Sequence, residues 1–219
     1  MTPSSPLWRD RHQAGRELAQ RFQDPPAAPG TVLLALPRGG VPVAAAMAAH
    51  LQLPLATWSV RKVADPAFPE VAVGAVAAGG VVVWRQGAEE GRRAWLQEQE
   101  RELARRRQVF GDPEPGLLRG RPLIVVDDGI ATGMTVQAAL RSLRRLAPAS
   151  LALAVPVVDR AVALRLSRQV ERFEALAVVD DLVAVGLWFE RFEQLSDAEV
   201  LELLAAAPPL PRQGRAQEC

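Results

Sequence analysis

Two adjacent aspartates, Asp127 and Asp128, stand directly before a loop rich in glycine and threonine, residues 129–135, which reads G-I-A-T-G-M-T. The apolar run that begins at Leu123 predicts a buried strand, and Val136–Leu146 predicts a helix. The start of a helix presents backbone N–H groups that favour a phosphate. Carboxylates instead suit hydroxyl groups, or a Mg²⁺ held through water. The pattern predicts a site for a ligand with a phosphate at one end and a diol at the other, such as a ribose 5-phosphate.

Three other interpretations of the run 127–135 explain fewer of its residues. An ordinary D-D-G turn between a strand and a helix is the alternative, since Asp and Gly are common in turns. That alternative does not account for A-T-G-x-T directly after the acids. A Walker P-loop is excluded because no G-K-[ST] follows the glycine, and a dinucleotide-binding fingerprint is excluded because G-x-G-x-x-G is absent.

A second loop with chemical potential lies between a predicted strand, Thr31–Leu36, and an alanine-rich predicted helix, Val41–Leu51. Its residues Arg38, Gly39 and Gly40 follow a proline. Glycines let the backbone approach a ligand closely, and an arginine can bind phosphate oxygens in a bidentate manner. An ordinary turn is the alternative for this loop taken alone.

The two loops, in this order, resemble the signature of the type I phosphoribosyltransferases, which use phosphoribosyl pyrophosphate (PRPP). The resemblance implies that Asp127 and Asp128 bind the ribose hydroxyls. It also implies that the P-R-G-G loop is the pyrophosphate loop, in which the family has a non-proline cis peptide. Mg²⁺ is the implied cofactor, held by the two aspartates partly through water. The residues implied to bind the 5′-phosphate are Ala131, Thr132, Gly133, Met134 and Thr135, and Gly129 is a further implied PRPP-binding residue.

Two cations, Arg61 and Lys62, end the next predicted strand, Leu53–Val60. Of the 26 basic residues, 25 are arginine, and Lys62 is the only lysine. Lysine and arginine are not interchangeable, because the ammonium is a compact, strongly hydrated point charge. By the same resemblance both cations neutralise the pyrophosphate, and Arg38 and Lys62 join the two aspartates as the catalytic residues. The alternative is a pair of strand-end surface cations.

The segment V-G-L-W-F-E-R-F, residues 185–192, resembles the last motif of the hypoxanthine-guanine branch of the family. An acidic residue four positions after the glycine helps to hold a second Mg²⁺ in that branch, and Glu190 matches it. Trp188 and Phe189 are candidates for stacking on an acceptor base, with plain core packing as the alternative.

One residue departs from the 6-oxopurine branch. That branch has an aspartate three positions after the second acid, where it exchanges a proton with the purine. This sequence has Ala131 there, and no other carboxylate lies in the loop. The resemblance therefore leaves the acceptor open, and with it the residue that would act as general acid or base.

Alternating strands and helices in the second half predict an α/β fold, a parallel sheet flanked by helices on both faces. The predicted strands there are 123–126, 151–157 and 175–179. Residues 63–70, with two prolines, predict a flexible loop that resembles the family's mobile flap, and Val71–Ala78 with Gly80–Trp84 predicts a hairpin.

We expect one domain over residues 8–204. A small cap, or hood, is expected from about residues 63–84 and 182–195, as the resemblance implies. Residues 205–219 predict a disordered tail.

Composition narrows the class of protein. The net charge is +1, so no charge imbalance points to nucleic acid. The only cysteine is Cys219 and there are two histidines, which excludes an intrachain disulfide and a His/Cys zinc site, as suits a cytoplasmic protein. No run is long enough to span a bilayer, and the N-terminus lacks the apolar core of a signal peptide.

The function expected from this resemblance is transfer of ribose 5-phosphate from PRPP to a nitrogen acceptor, in nucleotide metabolism or nucleoside salvage. The expected partners are PRPP, a small-molecule acceptor and a second copy of the chain, since dimers are common in the family. The main alternative is a non-catalytic regulatory protein that senses PRPP or a nucleotide on the same fold. A hydrolase or phosphorylase for a ribosyl phosphate is a third reading.

Overall fold

Five parallel strands form the central sheet of the computed structural model, in the spatial order β2-β1-β6-β7-β8. The structure describes residues 3, 5–65, 68–85, 87 and 93–210, without the side chains of 65, 68–72, 93 and 94. The order of the strands reverses between β1 and β6, so the topological switch point lies there. The strands are β1 Val32–Ala35, β2 Leu55–Thr57, β6 Pro122–Val126, β7 Ser150–Asp159 and β8 Arg172–Val179.

Helices cover both faces of this sheet, which confirms the predicted fold class. One face packs against α5 and α6 through residues such as Val125 and Leu140. The other packs against α1, α2 and α7 through residues such as Ile124 and Met47. Because both faces are covered, strands such as β1 and β6 are continuous apolar runs. The helices are α1 Arg11–Gln20, α2 Gly40–Leu51, α3 Arg93–Phe110, α4 Pro115–Leu118, α5 Met134–Arg144, α6 Arg160–Leu166 and α7 Asp197–Ala206.

A second sheet of three antiparallel strands, β3 Val60–Asp65, β4 Phe68–Ala77 and β5 Val81–Trp84, lies between α5 and α3. The predicted hairpin is confirmed as β4 and β5, which turn through glycines with φ of +74° and +67°. The segment predicted as a flexible loop is mostly strand instead. β3 pairs with β4 through two register shifts, and Val63 packs against Leu103 of α3. Residues 66 and 67 lie outside the described part.

The C-terminal segment pairs with the N-terminus. Trp8 forms an isolated parallel bridge with Phe189, and the Glu190 N–H donates to the Trp8 carbonyl at 2.9 Å. The first helix begins at Arg11, where the Asp10 side chain caps it by accepting from the Gln13 N–H. A cap is expected from residues 63–84 and 182–195. These two segments pack in different apolar clusters, since Val83 belongs to one and Trp188 to another.

The start of the predicted tail belongs to the fold. The Leu55 N–H donates to the Pro208 carbonyl at 3.2 Å, and Leu210 packs against the core. Residues 205–210 are therefore ordered, and residues 211–219 lie outside the described part of the chain. None of the described helices combines the length and the apolar character that a membrane crossing needs.

Candidate active site

The two acids lie at the switch point, directly after the last residue of β6. The Asp127 N–H donates to the Ala154 carbonyl on β7 at 3.3 Å, and the Asp128 N–H donates to Asp127 Oδ1 at 3.0 Å. The Asp128 side chain is only 15% exposed. The sequence reaches this geometry because an apolar strand must end at the sheet edge, and the polar residues after it then face the ligand side of the sheet.

Burial and charge both act on this pair. Burial, and next the negative charge of Asp128, raise the pKa of Asp127 well above its usual range. Burial also raises the pKa of Asp128, while the Arg11 guanidinium opposes that rise. Two partly desolvated carboxylates side by side favour a ligand that donates hydrogen bonds or brings positive charge.

Arg11, the first residue of α1, is the closest cation to the pair. Its Nε donates to Asp128 Oδ2 at 2.8 Å, and its Nη1 donates to the Glu193 carbonyl at 3.1 Å. Sequence reasoning did not find this contact. It joins residues 117 positions apart, and no spacing pattern encodes such a pairing.

The P-R-G-G loop packs directly on the acids, because β1 and β6 are neighbours in the sheet. The Pro37–Arg38 peptide bond is cis, as the resemblance implies. A Cβ on Gly39 would collide with Asp128 Oδ2, and a Cβ on Gly40 would lie 2.5 Å from the Val126 carbonyl oxygen. Only glycine fits at these two positions, so the predicted close approach of this backbone is present.

Arg38 is half-buried and turns toward α7. Its Nη1 lies 3.6 Å from Asp197 Oδ1, and Asp197 Oδ2 lies 3.6 Å from Arg105 Nη1. The carboxylate thus stands between two arginines at the first residue of α7. Both distances are long for an ion pair and the groups are partly exposed, so the contact is weak.

The predicted phosphate loop, residues 129–135, is anchored on β7 and ends at α5. The Ile130 N–H donates to the Val157 carbonyl at 2.9 Å, and the Ile130 carbonyl accepts from the Asp159 N–H at 3.0 Å. Gly133 has φ of +75° and precedes the helix, whose first residues are Met134 and Thr135. A glycine supplies no side-chain cap, so the N–H groups of the first turn are presented to a ligand.

A second arginine that sequence reasoning missed supports this loop. Arg165 of α6 donates from Nη2 to the Thr132 carbonyl at 2.7 Å. A Cβ on Gly133 would lie 2.6 Å from a methyl carbon of Val162, also on α6. The loop is therefore held against α6, and its conformation does not depend on α5 alone.

Arg61 and Lys62 are neighbours on β3 and therefore point to opposite faces of the small sheet. Arg61 donates from Nε and Nη2 to Gln99 Oε1 on α3, at 3.2 and 2.9 Å. Burial, and next the charge of Arg106, lower the pKa of Arg61, and Arg38 adds to the effect. Lys62 is exposed and pairs in register with Ala75, which belongs to the α5 side.

Trp188 and Phe189 are in the core, at 6% and 4% exposure. Phe189 lies between Trp8 and Phe192, with ring centroids 5.4 and 5.1 Å apart. Core packing, the alternative for these aromatics, is thus what the structure shows, and Ala131 packs against the same cluster. The Trp188 indole N–H is buried without an acceptor among the described residues.

Glu190 is exposed, and its backbone rather than its side chain is placed by Trp8. Within the described ranges, no three acidic, histidine or cysteine side chains converge closely enough to bind a metal ion. The adjacent carboxylates of Asp127 and Asp128 nevertheless fit Mg²⁺, which retains waters and takes further oxygens from a phosphorylated substrate.

Comparison with known proteins agrees with this geometry. A family model described as the phosphoribosyl transferase domain matches residues 10–177. Two Mycobacterium tuberculosis proteins, from strains CDC 1551 and H37Rv, carry phosphoribosyl transferase names and are each 38% identical over 209 residues. The alignment covers 92% of this chain and 47% of each relative, so the chain spans about half the length of the curated relatives it matches.

Solved structures show the same fold. The protein TT1426 from Thermus thermophilus is 35% identical, with a TM-score of 0.66, over 90% of this chain and 97% of that one. A hypothetical protein from Neisseria gonorrhoeae with bound ppGpp is 16% identical, with a TM-score of 0.50, over 94% and 98% of the two chains. The second likeness concerns the fold alone. Because the family model matches more than half of its residues, this chain belongs to the phosphoribosyltransferase family.

Proposed function

We propose that this protein transfers ribose 5-phosphate from PRPP to a nitrogen acceptor, a nucleobase, and releases pyrophosphate. One observation carries the proposal. The two carboxylates after β6, the glycines after β1 and the first turn of α5 meet at the topological switch point of a parallel sheet. The carboxylates suit the diol of PRPP, the glycines suit its pyrophosphate, and the first turn of α5 suits its 5′-phosphate.

The donor sugar is held at both ends. Asp127 and Asp128 accept hydrogen bonds from the ribose hydroxyls, which relieves the electrostatic cost of the buried pair. The N–H groups of residues 132–135 bind the 5′-phosphate, and Arg165 keeps the loop in place through Thr132. Fixing both ends positions C1 for attack, a contribution that comes from orientation rather than covalent chemistry.

The leaving pyrophosphate meets the backbone of Gly39 and Gly40 and the side chain of Arg38. Arg61 and Lys62 add positive charge from β3. We place Lys62 in the tighter contact, since it is the exposed member of the pair and its ammonium is a compact point charge. Stabilising the negative charge that develops on a leaving group is a large source of rate enhancement.

Mg²⁺ is generally used by this family, and we propose it here. Asp127 and Asp128 would hold it through water together with donor oxygens, and Glu190 would hold a second ion through water. A bound Mg²⁺ neutralises the pyrophosphate charge.

The acceptor nitrogen attacks C1 with inversion through an oxocarbenium-like transition state, while the C1–O bond to pyrophosphate breaks. Ala131 offers no carboxylate for the proton of the acceptor. Of the two aromatics suggested for the acceptor side, Phe189 is enclosed by Trp8 and Phe192, so Trp188 is our candidate. The support for Trp188 is its indole N–H, since an unpaired buried donor is costly and a ligand atom would satisfy it.

Pyrophosphate release from PRPP with Mg²⁺, measured across a panel of nucleobases, tests the proposal. We expect release with at least one base, and a loss of about 100-fold or more in the double variant Asp127→Asn/Asp128→Asn. The matched control is Asp180→Asn/Asp181→Asn, the other adjacent aspartate pair that follows a strand, which should retain activity.

Two results would contradict the proposal. Equal release by the wild type and the site variant would remove the acids from the reaction. Tight PRPP binding without turnover for any base would favour the alternative, a protein that senses PRPP or a nucleotide.

A further inference from the structure

Arg11 stands where three parts of the molecule meet. It is the first residue of α1 and only 8% exposed. Its Nε donates to Asp128 Oδ2 at 2.8 Å, and its Nη1 donates to the Glu193 carbonyl at 3.1 Å. A buried arginine that spans a site carboxylate and a main-chain carbonyl joins the donor site to the C-terminal segment.

An aromatic ring packs against one face of the Arg11 guanidinium. Arg11 Cζ lies 3.5 Å from the ring centroid of Phe192, which in turn stacks on Phe189 at 5.1 Å. A Cβ on Gly186 would lie 2.8 Å from the Phe192 ring, so the ring is held on a second side. With the ring beneath it and the Glu193 carbonyl at one edge, the guanidinium directs its Nε at Asp128.

Asp128 is constrained from the opposite side as well. Its Oδ2 occupies the space that a Cβ on Gly39 would need. The carboxylate therefore sits between the P-R-G-G loop and Arg11, and its orientation depends on both. Lysine could not replace this arrangement, because its ammonium lacks the planar fork that serves two acceptors and lies flat on a ring.

We propose that Arg11 is a positioning residue that orients Asp128 for the ribose hydroxyls and couples that orientation to the C-terminal segment 186–193. This inference rests on the proposed function, since it assumes that Asp128 binds the donor. Arg11 itself acts through Asp128. A shift of the C-terminal segment would therefore reach the donor site through this guanidinium.

The test measures two quantities for each variant: the affinity for PRPP in the presence of Mg²⁺, by calorimetry, and the melting temperature. We expect Arg11→Ala to weaken PRPP binding about 10- to 100-fold, as loss of a hydrogen bond to a charged group predicts, and Arg11→Lys to be intermediate. The matched control is Arg172→Ala. That guanidinium also lies over a ring, Phe22 at 4.4 Å, and donates to the carbonyls of Arg21 and Pro25, but it lies on β8 away from the acids.

Arg172→Ala should lower the melting temperature and leave PRPP affinity unchanged, which separates positioning from general stability. A second variant, Phe192→Leu, tests the coupling. It removes the ring beneath Arg11 without touching the acids, so it should weaken PRPP binding in the wild type and have no further effect in the Arg11→Ala background.

The outcomes separate the two proposals. If the wild type binds PRPP and Arg11→Ala binds it equally well, the positioning role is overturned. The same holds if Arg172→Ala weakens binding as much as Arg11→Ala does, or if the effects of Phe192→Leu and Arg11→Ala simply add. A wild-type protein that does not bind PRPP overturns the proposed function, and this inference with it.

Discussion

Two pairs of adjacent aspartates follow strands of the same parallel sheet, and they differ in almost every physical respect. Asp127 and Asp128 follow β6 beside the switch point, partly buried. Asp180 and Asp181 follow β8 at the sheet edge and are exposed. Burial raises the pKa of Asp127, whereas the hydrogen bond from Arg160 lowers the pKa of Asp180. The place of the strand in the sheet, rather than the residue type, distinguishes the pair that we propose as a binding site.

The residues that follow each pair differ in the same way. Gly129–Thr135 leads to the open N-terminus of α5, an arrangement that presents backbone N–H groups to a ligand. The segment after Asp181 instead leads into the buried aromatic cluster around Phe189. We propose that the first segment binds a ligand, whereas the second packs in the core, and substitutions can test this contrast.

The largest effect should come from the packing segment. Phe189→Ala removes a ring that is 4% exposed and flanked by two others, so we expect it to lower the free energy of unfolding by about 3–5 kcal/mol. Denaturant unfolding measures the change. Leu187→Ala is the control, since that side chain is 46% exposed and its loss should cost less than about 0.5 kcal/mol. A Phe189→Ala protein as stable as the wild type would show that the ring is not a core residue.

The next effect should fall on the binding segment. Gly39→Ala places a Cβ against Asp128 Oδ2, so either the loop or the acid must move. We expect PRPP affinity to fall about 10- to 100-fold, as overpacking by one methyl group predicts. In the control, Gly116→Ala, no atom lies within 4 Å of the added Cβ, and affinity should be unchanged. Equal affinities of the wild type and Gly39→Ala would mean that this loop lies outside the donor site.

The smallest effect concerns the charges themselves. The folded-state pKa of Asp127 is raised, so its contribution to stability is present below the unfolded-state pKa of about 4 and is lost as pH rises through the folded value. Asp127→Asn should therefore raise the free energy of unfolding by about 1 kcal/mol at neutral pH without divalent cations, and less at pH 4.

Asp180 supplies the matched comparison for this pH dependence. Its folded-state pKa is lowered, so its contribution is present above the unfolded-state pKa and is lost as pH falls. Asp180→Asn should lower stability slightly at neutral pH, which is the opposite sign. The free energy of unfolding of both variants, measured from pH 4 to 8, tests these opposite signs. A decrease in stability for Asp127→Asn at neutral pH would contradict the electrostatic account of the buried pair.

Sequence patterns could predict the parts of this site that are local. The apolar run before Asp127, the glycine-rich loop after it and the glycines of the P-R-G-G loop specify strand, turn and helix start from neighbouring residues. The alternation of strands and helices predicted the parallel sheet for the same reason.

The remaining features depend on contacts between distant residues. Arg11 reaches Asp128 across 117 positions, and Arg165 reaches Thr132 across 33, so neither contact has a local signal. The loop predicted over residues 63–70 is mostly strand because it pairs with β4 and because Val63 packs against Leu103 of α3. Phe189 looked equally suited to a base or to a core, and only the position of Trp8 decides between them.

A crystal structure with PRPP and Mg²⁺ tests the central claim most directly. We predict that the ribose hydroxyls lie within hydrogen-bond distance of the Asp127 and Asp128 carboxylates, with the 5′-phosphate on the N–H groups of residues 132–135. The pyrophosphate should then contact Gly39 and Gly40. PRPP bound elsewhere, or bound with its hydroxyls away from both carboxylates, would contradict the account.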